Sequence, residues 1–289
     1  MIILPSDFVN ICDYAYNREK LSNVDWINET KAKLNKIDQI SDFVFFESKK
    51  TDTQCISFVI RGHRFLVFRG TENIRDWMTN ANAFISSFGT YNYHKGMGQS
   101  FASIEGKIRK FLSDKPSLPI ISTGHSLGGA LAQICSMEVP GVVSTVTIGA
   151  PPVTSSDNFK KSTDALHFMN IEDPVPRSML IGSLLGKVLV PVLNYLSKEF
   201  TQNERLHGVC KVALNWVNGV NPHLIDYLHH GRLFIINKNT EMSEVDCLTV
   251  KTGDFLSGAF SNPKKLIQIH GTATYSKRLQ STVSWDFLE

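Results

Sequence analysis

Cysteine is scarce in this sequence, and the spacing of the few cysteines is informative. The 289 residues include five cysteines, namely Cys12, Cys55, Cys135, Cys210 and Cys247. They lie far apart, and no C-x-x-C pair occurs among them. An odd number of scattered cysteines is typical of reduced thiols in a reducing compartment, rather than of a disulfide framework or a zinc site.

The sequence also lacks a strong charge excess and a recognisable signal peptide. Its 30 basic and 27 acidic residues give a formal net charge of +3, which argues against nucleic acid as the main partner. The apolar opening covers only residues 1–4 before Pro5 and has no basic region, so no cleaved signal peptide is expected. We expect a cytoplasmic protein, or one exported without a cleaved signal peptide, and membrane association is left open.

The pattern of apolar residues predicts an α/β fold. A first helix is expected at residues 6–17, and strands are expected at 42–48, 54–62 and 64–70, with a hairpin around Gly62 and His63. Further along come a helix near 98–112, apolar runs at 118–122, 142–150, 165–171 and 231–238, a helix at 130–137 and a last helix from His270. Strand, helix and strand with short connections predict a mostly parallel sheet with flanking helices. No long linker interrupts the chain, so one domain over residues 1–289 is expected.

One short motif places a serine between a buried strand and a helix. Residues 124–128 read Gly-His-Ser-Leu-Gly and match G-x-S-x-G. Glycine on either side of Ser126 removes the clash that side chains would cause at so tight a turn. The bare pattern is common by chance, and a serine that only caps a helix is the alternative. The strand before it and the helix after it favour a nucleophile, whereas His125 is expected to be structural.

A second passage, residues 65–84, offers an oxyanion site. In a fold of this kind one oxyanion N–H comes from the residue after the nucleophile, here Leu127, and another from a loop after an early strand. Thr71 ends such a strand, and its hydroxyl is a further potential donor. Ile74, Trp77 and Met78 then follow at helical spacing. From periodicity alone, an ordinary helix that faces the core is favoured.

Five passages together resemble a known family. VFRGTENIRDW, YHKGMGQSF, GHSLGGALA, TIGAPPV and DPVPR occur in that order, and they are similar to the class 3 lipases, the fungal-lipase-like branch of the α/β-hydrolases. The resemblance implies that Ser126 is the nucleophile and that Thr71 belongs to the oxyanion hole. It also implies that residues 73–84, with Ile74, Trp77 and Met78, form a lid over the acyl site.

An acid and a base are expected after the serine, in the order Ser, Asp or Glu, His. Asp173 ends an apolar strand, where a catalytic acid and a turn-forming aspartate before Pro174 are equally consistent with the residues. The resemblance of DPVPR favours the acid. The histidines after it are His207, His223, His229, His230 and His270.

His270 begins a stretch that resembles the late H-x-x-x-x-Y stretch of the family, which carries the catalytic base. His229 and His230 enter an apolar strand, where the family usually has a structural histidine. We therefore predict His270 as the base, with His230 as the alternative.

Residues 178–226 do not align with the family and are predicted to be a helical insertion. Within them, residues 179–196 are largely apolar. A membrane span is the least favoured interpretation, because about 20 apolar residues are needed and Lys187 and Pro191 interrupt the stretch. Core packing, a wall of the acyl site and peripheral contact with a membrane surface remain as alternatives.

The sequence therefore predicts a lipase or phospholipase that cleaves a carboxylic ester of a glycerolipid through an acyl-enzyme on Ser126. No metal or organic cofactor is implied, and the expected partner is the lipid substrate. Acyl transfer to an alcohol is one alternative. A non-catalytic lipid-binding protein that kept the fold is the other, and the complete Ser126, Asp173 and His270 set argues against it.

Overall fold

Eight strands form one sheet, in which strands that follow each other along the chain also lie side by side. The strands are β1 (Ser41–Ser48), β2 (Thr53–Ile60), β3 (His63–Phe68), β4 (Ile120–His125), β5 (Val142–Ile148), β6 (Asp164–Asn170), β7 (Arg232–Ile236) and β8 (Met242–Val245). Strands β3 to β7 are mutually parallel. The pairs β1–β2, β2–β3 and β7–β8 are antiparallel. The predicted mostly parallel sheet is therefore confirmed.

Helices lie on both faces of this sheet. The described helices are α1 (Pro5–Tyr14), α2 (Asn23–Ile37), α3 (Lys95–Ser113), α4 (Leu127–Glu138), α5 (Val190–Glu199) and α6 (Thr272–Leu279). Apolar residues of α1, α2 and α6 share one buried cluster with the sheet. Those of α3 and α4 share another cluster with it. Because each face has its own helices, the central strands are buried on both sides.

Strand β3 shows how the apolar runs in the sequence produce this arrangement. Phe65 and Val67 belong to the cluster on the α1 side, and Leu66 and Phe68 belong to the cluster on the α3 side. Successive side chains of a strand point to opposite faces, so an uninterrupted apolar run supplies both clusters. All four side chains are 0% exposed, and burial of each contributes about 1.5–3 kcal/mol.

The hairpin between β2 and β3 differs by one residue from the sequence-based expectation. Ile60 pairs with His63, so the turn consists of Arg61 and Gly62, and His63 is the first residue of β3. Both turn residues have positive φ, 48° at Arg61 and 77° at Gly62. A two-residue turn with two positive φ angles matches the twist of the strands that it joins.

The computed structural model describes residues 3–17, 21–71, 93–154, 164–173, 175–176, 190–199, 201, 207, 211, 229–245 and 268–280. The predicted lid residues Ile74, Trp77 and Met78 lie outside these ranges, as does most of the predicted insertion at 178–226, in which α5 is described. Within the described ranges, no helix combines the length and apolar character that a membrane span requires.

Candidate active site

The G-x-S-x-G motif forms a sharp turn between β4 and α4. Ser126 stands between the two elements with φ 58° and ψ −129°, a backbone conformation that residues other than glycine rarely adopt. Three hydrogen bonds hold this backbone: Ser126 N donates to Ile148 O at 3.0 Å, and Ser126 O accepts from Gly129 N at 3.0 Å and from Ala130 N at 3.2 Å. The serine is 0% exposed, and its Oγ has no hydrogen-bond partner among the described residues.

The glycines of the motif are required by close backbone contacts. A Cβ on Gly124 would overlap the backbone of Gly128 and lie 2.7 Å from the nitrogen of Gly129. A Cβ on Gly128 would lie 2.8 Å from the carbonyl carbon of Arg69. Side chains at these two positions would therefore collide with the backbone, as expected from the sequence. Glycine allows the start of α4 to lie directly against the end of β3.

The loop after β3 passes directly beside the serine. Strand β3 pairs in parallel with β4, which brings Phe68 opposite Gly124. A Cβ on Gly70 would lie 3.3 Å from the Cβ of Ser126, and Thr71 is the next residue. The first N–H of α4 belongs to Leu127 and has no acceptor within the helix. The structure thus brings the segments that carry Thr71 and Leu127 to the same place as Ser126.

Asp173 and His270 meet although 97 residues separate them in the chain. Asp173 follows β6, and His270 precedes α6. His270 Nδ1 and Asp173 Oδ2 are 2.7 Å apart, and the two side chains are 1% and 0% exposed. Because a carboxylate only accepts, Nδ1 is the nitrogen that donates, and a neutral ring then has its lone pair on Nε2. That Nε2 has no hydrogen-bond partner among the described residues.

Two further donors hold the carboxylate of Asp173. The hydroxyl of Tyr275 donates to Oδ2 at 2.7 Å, and the backbone N–H of Val175 donates to Oδ1 at 2.9 Å. Burial, and then the charge of Asp173, raise the pKa of Tyr275 well above its usual range, so Tyr275 stays a donor. With the bond from His270, three hydrogen bonds compensate the burial of a charge that would otherwise be costly.

The sequence analysis did not single out Tyr275 or Tyr16, and it predicted only a structural role for His125. Tyr275 is the tyrosine of the H-x-x-x-x-Y stretch, so its position was a usable signal. His125 Nε2 lies 2.7 Å from the backbone oxygen of His270, and its Nδ1 lies 3.0 Å from the hydroxyl of Tyr16. No local pattern in the sequence connects these residues.

Three other described histidines form hydrogen bonds away from Asp173. His229 Nε2 lies 3.2 Å from Pro176 O. His167 Nε2 lies 2.6 Å from the backbone oxygen of His230. His207 Nδ1 lies 2.9 Å from Ser197 O. The histidine that reaches Asp173 is therefore His270 and not the alternative, His230.

Within the described ranges, no group of three or more His, Cys, Asp or Glu side chains is arranged to hold a metal ion. The site geometry thus consists of a buried serine on a sharp turn, a hydrogen-bonded Asp–His pair and two adjacent backbone segments. This is a suitable arrangement for nucleophilic attack on a carbonyl and for proton transfer.

Comparison with known proteins identifies the same family that the motifs resemble. Residues 65–183 match the model of the family described as Lipase (class 3). The lipase of Rhizomucor miehei is 32% identical over a stretch that covers 26% of this chain and 23% of that protein. The lipase of Rhizopus niveus is 29% identical over 37% of this chain and 32% of that protein. The aligned stretches therefore span only a quarter to a third of these relatives.

The fold is similar over a longer part of the chain. The structure of the Rhizomucor miehei triacylglyceride lipase superposes with a TM-score of 0.57 at 17% identity, over 88% of this chain and 87% of that one. At such low identity, the likeness establishes the α/β-hydrolase fold and nothing finer. The sequence motifs and the fold agree, and the similarity to the class 3 lipases is concentrated in residues 65–183.

Proposed function

We propose that this protein hydrolyses a carboxylic ester of a glycerolipid, with Ser126 as nucleophile, His270 as general base and Asp173 as the acid that orients it. The observation that carries the proposal is the buried hydrogen bond of 2.7 Å between His270 and Asp173. In the same structure, Ser126 lies on the sharp turn between β4 and α4. Each of the three residues was predicted from motif and chain order.

The reaction follows from the protonation states of these groups. His270 Nε2 accepts the proton of Ser126 Oγ as the oxygen attacks the ester carbonyl, and it returns that proton to the leaving alcohol. The acyl group stays on Ser126 until water, activated by the same nitrogen, releases the fatty acid. Asp173 stabilises the imidazolium, because three hydrogen bonds keep its carboxylate in a fixed orientation.

The tetrahedral intermediate carries a negative oxygen that needs donors. We assign this role to the N–H of Leu127 and to Thr71, which lie on the two segments adjacent to Ser126. The N-terminal end of α4 adds a favourable dipole. Donors that are already in position cost no reorganisation during the reaction, and removal of one such donor typically lowers kcat by about 10²–10³-fold.

The family relationship supports a lipid ester as substrate. The structural neighbour from Rhizomucor miehei is a triacylglyceride lipase by its description, and a phospholipase of A type would use the same machinery. Both cleave an acyl ester of glycerol, and they differ in the headgroup that the enzyme accommodates. A panel of triacylglycerol, diacylglycerol and phospholipid with the purified protein distinguishes these substrates.

We place the helical insertion at 178–226 within the same single domain and assign it contact with the lipid surface. Helix α5 supports this assignment because Tyr195 is 63% exposed and Lys198 is exposed on the same helix. A tyrosine and a lysine with apolar stems and polar ends suit the boundary between lipid and water.

Covalent labelling tests the central assignment. A fluorophosphonate should modify Ser126 with loss of activity, and mass spectrometry of the digested protein should locate the adduct. Folded Ser126→Ala protein should be neither labelled nor active. Labelling without hydrolysis of any ester in the panel would indicate acyl transfer, which competing alcohols then reveal. Failure to label the folded wild type would indicate a lipid-binding protein without catalysis.

A further inference from the structure

We propose that Tyr16 and His125 are positioning residues for the general base, an inference that rests on the function proposed above. The side chain of His270 is oriented by Asp173, but this bond alone does not fix the backbone from which the ring extends. His125 bonds that backbone directly, and Tyr16 determines which nitrogen of His125 is available to do so.

His125 contacts His270 directly. His125 Nε2 lies 2.7 Å from the backbone oxygen of His270, and both side chains are buried. The ring centroids are 4.6 Å apart with an angle of 33° between the planes. Because His125 is the residue immediately before Ser126, this bond joins the backbone of the nucleophile turn to the backbone of the base.

The two hydrogen-bond partners of the His125 ring indicate its tautomer. A carbonyl oxygen only accepts, so Nε2 must carry the proton in the bond to His270. In a neutral ring, Nδ1 then has a lone pair, and the hydroxyl of Tyr16 at 3.0 Å is placed to donate to it. Tyr16 therefore stabilises the tautomer in which Nε2 is a donor. The opposite tautomer would direct a lone pair at the carbonyl of His270.

Contacts at the end of α1 hold Tyr16 in place. Tyr16 lies just after α1 and is 7% exposed. Its backbone N–H donates to Asp13 O at 3.0 Å, and a carboxylate oxygen of Asp13 accepts from the hydroxyl of Thr272 at 2.6 Å. The end of α1 thus contacts the segment of His270 at two points, once through His125 and once through Thr272.

The network also reaches the proposed oxyanion segment. A Cβ on Gly70 would overlap the hydroxyl of Tyr16, and Gly70 directly precedes Thr71. A single tyrosine oxygen is therefore packed between the segment of Thr71 and the ring that holds His270. Even a small displacement of the base lowers the reaction rate strongly, since misplacement by about 1 Å can reduce the rate by about 10²-fold.

Two substitutions of His125 separate the hydrogen bond from the ring contact. His125→Phe keeps an aromatic ring but removes the donor, whereas His125→Gln keeps a donor at a similar distance and removes the ring. On p-nitrophenyl butyrate, His125→Phe should lower kcat by about 10²-fold with little change in KM, and His125→Gln should recover most of the loss. The His270 Nδ1 proton resonance should shift in His125→Phe and return toward its wild-type position in His125→Gln.

Substitution of Tyr16 tests the same network through a smaller change. Tyr16→Phe should lower kcat by about three- to tenfold, as expected for one hydrogen bond, and leave KM unchanged. Tyr14→Phe is the matched control, because it removes a hydroxyl two residues earlier that bonds to no described residue. That variant should retain wild-type kcat.

Failure of this inference is distinguishable from failure of the proposed function. If folded Ser126→Ala still hydrolyses the ester, the proposed function is wrong. If Ser126→Ala is inactive while folded His125→Phe keeps wild-type kcat, the function stands and the positioning inference is overturned. The inference is also overturned if His125→Gln is as slow as His125→Phe, or if Tyr16→Phe is no slower than Tyr14→Phe. Thermal unfolding of each variant shows that it is folded at the assay temperature.

Discussion

The hydroxyl of Tyr275 donates to the carboxylate of Asp173 at 2.7 Å, and both side chains are 0% exposed. The oxygen that accepts this bond, Oδ2, is the one that also accepts from His270. The backbone N–H of Asn170 donates to the same hydroxyl at 3.0 Å. Tyr275 therefore links the end of β6 to α6 and holds the carboxylate where the imidazole meets it.

Tyr275→Phe should lower kcat by about three- to tenfold, because Asp173 loses one of its three donors and gains freedom to turn. KM should be unchanged. Steady-state kinetics on a soluble ester measures both. Tyr93→Phe is the control, since Tyr93 also donates to a carboxylate, that of Glu138 at 2.9 Å. It should lose stability but not kcat. Equal kcat values for the two variants would show that the Tyr275 hydroxyl does not support Asp173 in catalysis.

Thr71→Ala should lower kcat more than it raises KM, by about 10²–10³-fold, if the hydroxyl donates to the oxyanion. Thr71→Ser keeps the hydroxyl and should retain most of the activity. The two variants are compared by kcat and KM on the same ester. An effect on KM alone, or equal losses in both variants, would indicate that Thr71 serves packing rather than catalysis.

His270→Ala should be as damaging as Ser126→Ala, with a loss on the order of 10⁶-fold in kcat, because members of a triad act as a unit. His230→Ala should change kcat little, since the backbone oxygen of His230, which alanine keeps, accepts the bond from His167. Activity and thermal unfolding are measured for each variant. An inactive but stable His230→Ala together with an active His270→Ala would reverse the assignment of the base.

Two buried histidines predict a loss of stability in acid. Burial, then the neighbouring His229, lowers the pKa of His167 to about 3, and burial lowers the pKa of His229 to about 4. In the unfolded chain both have a pKa of about 6.5, so below that pH the unfolded state binds protons that the folded state does not. Their contribution to stability is complete above about pH 6.5 and is lost as the pH falls toward 4 and 3.

Urea unfolding at a series of pH values measures this effect. The free energy of unfolding of the wild type should decrease between about pH 6.5 and 4, and His167→Gln should show a shallower decrease because one titrating group is absent. Carboxylates contribute to the slope in both proteins, so the difference between the slopes is the informative quantity. Identical slopes would show that His167 is not buried in its neutral form.

The elements that the sequence predicts well are those with a strong local pattern. Residues 65–68 of β3 are an uninterrupted apolar run, and the glycines around Ser126 mark the turn. Helix α2 was not predicted, although Ser22 caps it and accepts from Asp25 N at 3.3 Å. Its buried face includes the polar Thr30, which weakens the apolar period, and the tertiary contact with Tyr14 O that satisfies Thr30 is invisible in the sequence.

The candidate site also combines residues that the sequence predicts with contacts that it does not predict. The positions of Asp173 and His270 follow from chain order and family motifs, and the structure brings them together. The bond between Tyr16 and His125 joins residues 109 positions apart, and neither residue has a local pattern that points to the other. Such contacts depend on how α1 packs against the sheet, which is determined by the whole core.

The distance along the chain between the acid and the base has a consequence for biosynthesis. Ninety-seven residues separate Asp173 from His270, and a ribosome adds about 5–20 residues per second. A nascent chain that already contains the serine and the aspartate therefore lacks its base for roughly 5–20 s. The proposed triad is therefore complete only after His270 has been synthesised and α6 has packed against α1.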